Sequence, residues 1–286
     1  MIEHFKIEQL DLVFGKNSKK VFQALDAGQS REHIHQELKH VIAVQNVNFS
    51  VYKSEILVIM GLSGSGKSSL LRCLNGMNGR TIGKTRGQIL YLDAETNQRI
   101  NLIECPKNHL RKIRKHQVSM VFQQFGLMPW RTVSENVAFP LEIQGIKSTE
   151  RIKQVEEKLE IVGLAKWKSH YPHELSGGMQ QRVGLARAFV TQADVLLMDE
   201  PFSALDPLIR KQLQDEILEL QQKFKKTIIF VTHDFSEAIK IGSRIAIMDA
   251  GKILQIGTPQ DIIENPACEN VKRFTEDIKG THTFLT

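Results

Sequence analysis

The sequence predicts an α/β fold whose sheet-forming parts are interrupted by a helical insertion, and three observations carry that prediction. Ile56-Leu57-Val58-Ile59-Met60 and Val195-Leu196-Leu197-Met198 are short, wholly apolar runs, as parallel strands covered on both faces require. Stretches with helical spacing alternate with such runs. From about Gln124 to Leu175 the pattern is helical, with no strand between.

Phe5 to Phe14 alternates in part, and Val41 to Ile59 reads as short strands ending in the first apolar run. Between them Lys16 to His40 is polar, with three His, and reads as a solvated loop or surface helix, or as an insertion packing near a ligand or partner chain. Gly87 to Tyr91 is a further strand. Lys107 to His116 is a basic helix with few apolar positions; without interleaved aromatics it reads as a solvated face rather than a nucleic-acid surface. Gly126 to Pro140 is loop-rich. Glu150 to Val162 then places Ile152, Val155, Leu159 and Val162 on one helical face. Asp206-Pro207 is an N-cap and first-turn pair, opening a helix with the stripe Ile209, Leu213, Ile217, Leu220 and Phe224. Thr227 to Thr232 is a strand, Ile245 to Met248 and Lys252 to Ile256 form a hairpin-like pair around Ala250-Gly251, and Pro259 to Glu264 is a last helix of the core.

The composition is ordinary for a globular chain: 286 residues, 41% hydrophobic and 24% charged, with a net charge of +6 that argues only weakly for an anionic partner. Cys73, Cys105 and Cys268 are far apart and outside metal-ligand spacing, so neither a disulfide framework nor a zinc site is suggested, and the cytoplasm is the simplest location. No run approaches the ~18 to 20 apolar residues of a membrane helix. Any membrane span would belong to another chain.

Gly61-Leu62-Ser63-Gly64-Ser65-Gly66-Lys67-Ser68 lies between an apolar strand and the helix-like Ser69-Leu70-Leu71-Arg72-Cys73-Leu74. Glycines let successive backbone N–H groups turn toward an anion, and the following helix start adds partial positive charge. Lys67 can reach β- and γ-phosphates, the Ser68 hydroxyl can ligate Mg²⁺, and Ser69 follows in the same turn. Val195 to Met198 then delivers two carboxylates to a strand end, Asp199 for the metal and Glu200 as a general base for attacking water. Leu175-Ser176-Gly177-Gly178-Met179-Gln180-Gln181-Arg182 precedes a helix, Met179 to Val190, and so makes a second anion-binding helix start.

Together with Val121-Phe122-Gln123-Gln124, Ser203-Ala204-Leu205-Asp206 and Ile228 to Asp234, these motifs resemble the ATP-binding cassette (ABC) ATPases, from about Phe14 to about Gly257. The resemblance implies a phosphate-loop NTPase core with a mixed sheet and an antiparallel β part, plus an inserted helical subdomain. Within a single ABC ATPase domain the core would be residues 1–123 and 185–265, the helical subdomain 124–184, the polar insertion 16–40 and a short tail 266–286. The implied cofactors are ATP and Mg²⁺. His233 is implied to contact the γ-phosphate and Gln123 the metal or water. Ser176, Gly177 and Gly178 would complete the ATP site of a second copy, with Asp206 at the same interface. Phe14 is the best match for the adenine-stacking aromatic, with Tyr52 or Phe22 as substitutes.

One cassette without a membrane span looks like an importer subunit, peripheral on the cytoplasmic face of the inner membrane, serving integral permease subunits and a substrate-binding protein, with no nucleic-acid partner. Phe122 to Pro129, Arg131-Thr132-Val133, Ser203 to Arg210 and Ile245 to Met248 are similar to the glycine betaine/L-proline (quaternary amine) class. That implies a betaine, proline or choline cargo; another small solute, or a non-transport ABC ATPase, is the alternative. CBS modules are frequent in that class, and none is expected in the short tail 266–286.

Overall fold

A computed structural model describes residues 1–15, 18–77, 83–123 and 126–279. Lys16 and Asn17 of the polar insertion, Gln124 and Phe125 directly after Gln123 and residues 280–286 of the expected tail lie outside them. Backbone contacts divide the chain into two units, residues 1–110 with 231–286, and residues 111–230.

The first unit runs β1 (Glu3–Phe14), α1 (Ser18–Asp26), α2 (Arg31–Leu38), β2 (Val41–Tyr52), β3 (Ile56–Met60), α3 (Lys67–Leu74), β4 (Gly83–Leu92), β5 (Arg99–Asn101) and the start of α4 (Lys107–His116). Strands β2, β1, β4 and β5 form an antiparallel sheet in that order. The partial alternation of β1 has a backbone cause. Gln9 has φ +48 and sits at a register shift, so Phe5 and Ile7 before it and Leu10 and Leu12 after it are all buried. A bulge shifts the two-residue period by one without turning the apolar side chains outward.

Of the readings open for the polar insertion, the surface helix holds and the solvated loop does not: residues 18–38 form two helices whose few buried side chains cover the sheet. In α1 and α2, Val21, Ala24 and Ile34 pack with Val13 and Ile42 of the sheet, and Phe22, Leu25 and Leu38 lie against that cluster. Ser30 caps α2. Arg86 of β4 donates to Asp11 of β1 at 2.7 Å and to Asp26 of α1 at 2.8 Å, and its guanidinium lies 4.8 Å from the centroid of the Phe22 ring. A few apolar residues at helical spacing therefore outweigh a polar composition.

Beyond α4 the second unit holds β6 (Val118–Val121), α5 (Val133–Gln144), α6 (Ser148–Ile161), α7 (Gly177–Phe189), β7 (Val195–Asp199), α8 (Pro207–Phe224) and the start of β8 (Thr227–Thr232), which carries the chain back into the first. Strands β6 and β7 are parallel, Val118 opposite Val195. Part of the stretch read as loop-rich is helix: a Thr132–Glu135 capping box opens α5, and the helix continues through Pro140 to a left-handed Gly145. In α6, Val155, Leu159 and Val162 are buried but Ile152 is 56% exposed, so the predicted stripe is covered only beyond the first turn. In α8 only Leu213 and Ile217 of the predicted stripe are buried, and Phe224 is 52% exposed beside the Lys223 ammonium.

The first unit closes with α9 (Phe235–Ile241), β9 (Arg244–Asp249), β10 (Lys252–Gly257), α10 (Pro259–Glu264) and α11 (Glu269–Lys279). Strand β9 pairs parallel with β3 and antiparallel with β10, so this unit carries a mixed sheet beside its antiparallel one. The expected tail contains α11, anchored by buried Val271 and Thr275. Among the described residues no helix is long and apolar enough to cross a membrane.

Candidate functional site

In the first unit the glycine loop leaves the end of β3, whose five residues are all buried. A Cβ on Gly61 would run into the carbonyl of Met248, and one on Gly66, at φ +105, into the carbonyl of Ala43. These two glycines let the loop close against its neighbours. The Gly251 N–H, from the β9–β10 turn, donates to the Ser65 carbonyl at 2.9 Å. Lys67 is buried, and its ammonium donates back to the carbonyls of Gly61 at 2.8 Å and Leu62 at 2.9 Å. Ser68 and Ser69 are half-buried in the first turn of α3, while Ser63 and Gly64 are exposed at the loop tip.

Ser65 is buried, and its hydroxyl has no hydrogen-bond partner among the described residues. Such a group is costly unless a ligand satisfies it. An orphaned hydroxyl, an ammonium and a helix N-terminus around one concave loop fit a polyphosphate.

His233 is exposed at the end of β8. The next residue, Asp234, caps α9 by accepting from Ser236 N at 2.8 Å and Glu237 N at 3.2 Å, and the buried Thr232 donates its hydroxyl to Glu237 at 2.7 Å. His233 thus projects from a backbone held on both sides. Of the three aromatic candidates, Phe22 is engaged by Arg86, and Tyr52 has the Arg244 guanidinium 5.3 Å from its ring. Phe14 lies at the end of β1, half-buried, with its ring edge against Gly83.

In the second unit Asp199, the last residue of the wholly buried β7, is itself fully buried. Glu200 follows at φ +46, a left-handed conformation that costs a residue with a Cβ about 1–2 kcal/mol. Its carboxylate accepts from the Gln123 amide at 3.5 Å, so two predicted site residues from different strand ends meet. Strained backbone at a carboxylate is the kind of outlier that points to function.

Ser176 caps α7, its hydroxyl accepting from Met179 N at 3.3 Å. Gly177 is exposed. A Cβ on Gly178 would lie 3.2 Å from the Ala204 carbonyl, so this helix start and the 203–206 loop pack closely. Asp206 is exposed and caps α8, accepting from Ile209 N at 3.0 Å. Farther along α7, Arg182 donates to the Val162 carbonyl at 3.2 Å; burial lowers its pKa, and the Asp206 carboxylate opposes that shift. Arg187 donates to the Gly126 carbonyl at 2.8 Å, and burial lowers its pKa as well. The helix beginning at Ser176 therefore reaches both the loop after Gln123 and the turn after Glu200.

Two residues without a predicted role organise this unit. Asn136, fully buried, accepts from Met128 N and donates to the carbonyls of Met128, Arg131 and Thr132, fastening the loop that carries the 73% exposed Trp130. Gln181, 2% exposed, bridges Glu200 and Ala204. For Asn136 the available signal is its place one residue after the capping-box Glu135; for Gln181 it is membership in the Leu175 to Arg182 motif.

Residues 44–203, from β2 to just past the Glu200 turn, match the ABC transporter family model. The glycine betaine transport ATP-binding protein OpuAA of Bacillus subtilis is 49% identical over 273 residues, covering 96% of this chain and 63% of that protein. The glycine betaine/carnitine transport ATP-binding protein GbuA of Listeria monocytogenes is 50% identical over 279 residues, covering 98% and 68%. The chain thus spans about two-thirds of the length of these relatives. A dimeric, post-hydrolysis structure of the ATP-binding cassette MJ0796, bound to ADP and Pi, superposes with a TM-score of 0.74 at 28% identity, covering 89% of this chain and 98% of that one. A phosphate-fitting loop after β3, a paired carboxylate after β7 and a family match that spans both leave one assignment: the chain belongs to the ABC transporter family.

Proposed function

We propose that this chain is the ATP-hydrolysing subunit of an importer for a small quaternary amine or related zwitterion of the glycine betaine, proline or choline type. The observation that carries the reading is identity of about half to two glycine betaine transport subunits along nearly the whole chain. In this reading Gly61 to Ser69 hold the ATP phosphates, with Lys67 as the point charge and Ser65 gaining the partner it lacks. Phe14 stacks on adenine. Glu200 accepts the proton of the attacking water, Gln123 orients its carboxylate, and His233 contacts the γ-phosphate.

In this reading Ser68, Gln123 and Asp199 would supply oxygen donors to Mg²⁺, Asp199 as a fully buried carboxylate, and the ion would neutralise developing phosphate charge. Ser176 and Gly178 serve the nucleotide of a second copy, with Asp206 beside them, as fits a cassette similar to one seen as a dimer. The partners are a membrane permease and a substrate-binding protein, with this chain peripheral on the cytoplasmic face. For the domain layout, the core holds residues 1–123 and 185–265, and residues 124–184 act as the helical subdomain.

Reconstitution with the partner permease in vesicles, using a panel of betaine, choline, carnitine, proline and histidine, tests the cargo. ATP-dependent uptake of one quaternary amine is expected. Absence of uptake across the panel, with uptake of a sugar, metal or peptide added to the same vesicles, would overturn the cargo assignment, and nucleic-acid-stimulated hydrolysis without any transport would favour a non-transport ATPase.

The region from Gln123 to about Pro140 is expected to form the groove that receives a cytoplasmic helix of the permease. Trp130 stands exposed on a backbone that buried Asn136 holds rigid, so a shift of the Gln123 segment is passed outward as a rigid displacement. Trp130→Asp is expected to leave ATP affinity within a few-fold and to lower coupled uptake by at least about tenfold, roughly the loss of one desolvated aromatic anchor. Wild-type uptake by this variant would remove the assignment.

A further inference from the structure

We propose that Gln181 is a positioning residue for Glu200, holding the turn that carries the catalytic carboxylate onto the helix that begins at Ser176. The inference rests on the reading of Glu200 as general base. Gln181 lies inside α7, and its side-chain amide spans the turn: Nε2 donates to the Glu200 carbonyl at 3.2 Å, and Oε1 accepts from Ala204 N at 3.1 Å. Only one orientation of the amide serves both, because the Ala204 N–H can only donate and the Glu200 carbonyl can only accept.

This bridge stands where the backbone most requires support. Glu200 is held at φ +46, which the chain leaves for ordinary φ unless its surroundings prevent it. The same carbonyl also accepts from Ser203 N at 3.3 Å and Ser203 Oγ at 3.1 Å, but Ser203 belongs to the turn and moves with it. Gln181 comes from a separate helix, so it fixes the turn in space rather than merely closing it. Gly178 supports the same arrangement one turn earlier: its lack of a Cβ lets α7 approach Ala204. The Glu200 carboxylate meets Gln123 at only 3.5 Å, a contact that a shift of about 1 Å in the turn would break, and misplacements of that size cost about 10²-fold in rate.

The test is steady-state ATP hydrolysis by the full chain carrying Gln181→Met, Gln181→Glu, Glu200→Gln, or Gln181→Met with Glu200→Gln. Gln181→Met keeps the volume and removes both hydrogen bonds; kcat is expected to fall about 10- to 100-fold with KM within a few-fold. In the Glu200→Gln background the same change is expected to cost nothing more, since the group it positions no longer takes a proton. Gln181→Glu keeps the acceptor for Ala204 but, ionised, offers no donor to Glu200. A carboxyl buried there is protonated more readily, so its rate relative to wild type should rise as pH falls from about 8 to about 6. A purely structural role would give losses that multiply in the double variant and a pH-independent ratio, and either result overturns the inference. Wild-type kcat in Gln181→Met while Glu200→Gln is stalled overturns this inference alone. A Glu200→Gln protein that still turns over overturns the general-base reading, and this inference with it.

Discussion

Replacing Glu200 with Gln is expected to lower ATP turnover by about 10²- to 10⁴-fold, the usual contribution of a general base, while MgATP affinity stays within a few-fold. The substitution is nearly isosteric. It leaves an oxygen to accept from Gln123 and leaves the backbone bridges of Gln181 and Ser203 to the Glu200 carbonyl unchanged, so what is lost is proton acceptance. The groups assigned to phosphate and metal, Lys67, Ser68 and Asp199, are untouched. A protein that binds ATP but cannot hydrolyse it should accumulate as an ATP-bound dimer, visible by size-exclusion chromatography with MgATP.

Adding Ser176→Arg should abolish that dimer, because Ser176 is exposed at the start of α7, where the second copy's nucleotide is proposed to sit. Losing the Ser176 cap costs about 1 kcal/mol of helix stability, too little to unfold a domain. Gly178 is the poorer choice for this purpose, since any side chain there also presses on Ala204 within its own chain. A Glu200→Gln protein that stays monomeric under saturating MgATP would remove the main support for a shared site.

Gly66→Ala is expected to weaken MgATP binding by at least about 10²-fold. The residue sits at φ +105, where an L side chain costs about 1–3 kcal/mol, and its Cβ would enter the Ala43 carbonyl, a backbone atom that cannot rotate away. The loop escapes only by opening, which withdraws the N–H groups from the phosphates; a loss near 2.7 kcal/mol corresponds to that 10²-fold. Gly64→Ala is the matched control in the nucleotide-free protein. Gly64 also has positive φ, +80, but nothing lies within 4 Å of its would-be Cβ. Its effect on melting should be confined to the left-handed cost of about 1–2 kcal/mol, smaller than that of Gly66→Ala. Isothermal titration with MgATP and thermal melting without it measure both, and near-wild-type affinity in Gly66→Ala would refute the closed-loop account.

Much of this architecture is legible before any coordinates. The wholly buried strands β3, β7 and β8 each lead into or end in a motif residue, and strand, glycine loop and helix succeed one another within a few residues. Backbone propensity and burial there act together. The misreadings share a different cause. Lys16 to His40 looks solvated because its few apolar residues are diluted by charge, yet Val21 and Ile34 find a sheet face to cover. Val133 to Pro140 looks like a loop because proline suggests a break, yet a capping box and buried Val133 and Val137 hold the helix. Ile152 fits the helical stripe and stays exposed, since periodicity specifies a face but not how far its cover extends.

The sequence by itself determined the fold class, the glycine loop and the order of the motifs, because each rests on neighbours in the chain: a glycine's freedom, a strand's apolar run, a cap before a helix. Only the tertiary structure decided which residues act on one another across that order. That Gln123 meets Glu200, that Gln181 ties Glu200 to Ala204, and that Met248 and Ala43 require glycine at positions 61 and 66 depend on residues separated in sequence by between 19 and 187 positions. No local periodicity encodes such contacts, because they arise from how buried elements pack and which polar groups that packing leaves to be satisfied.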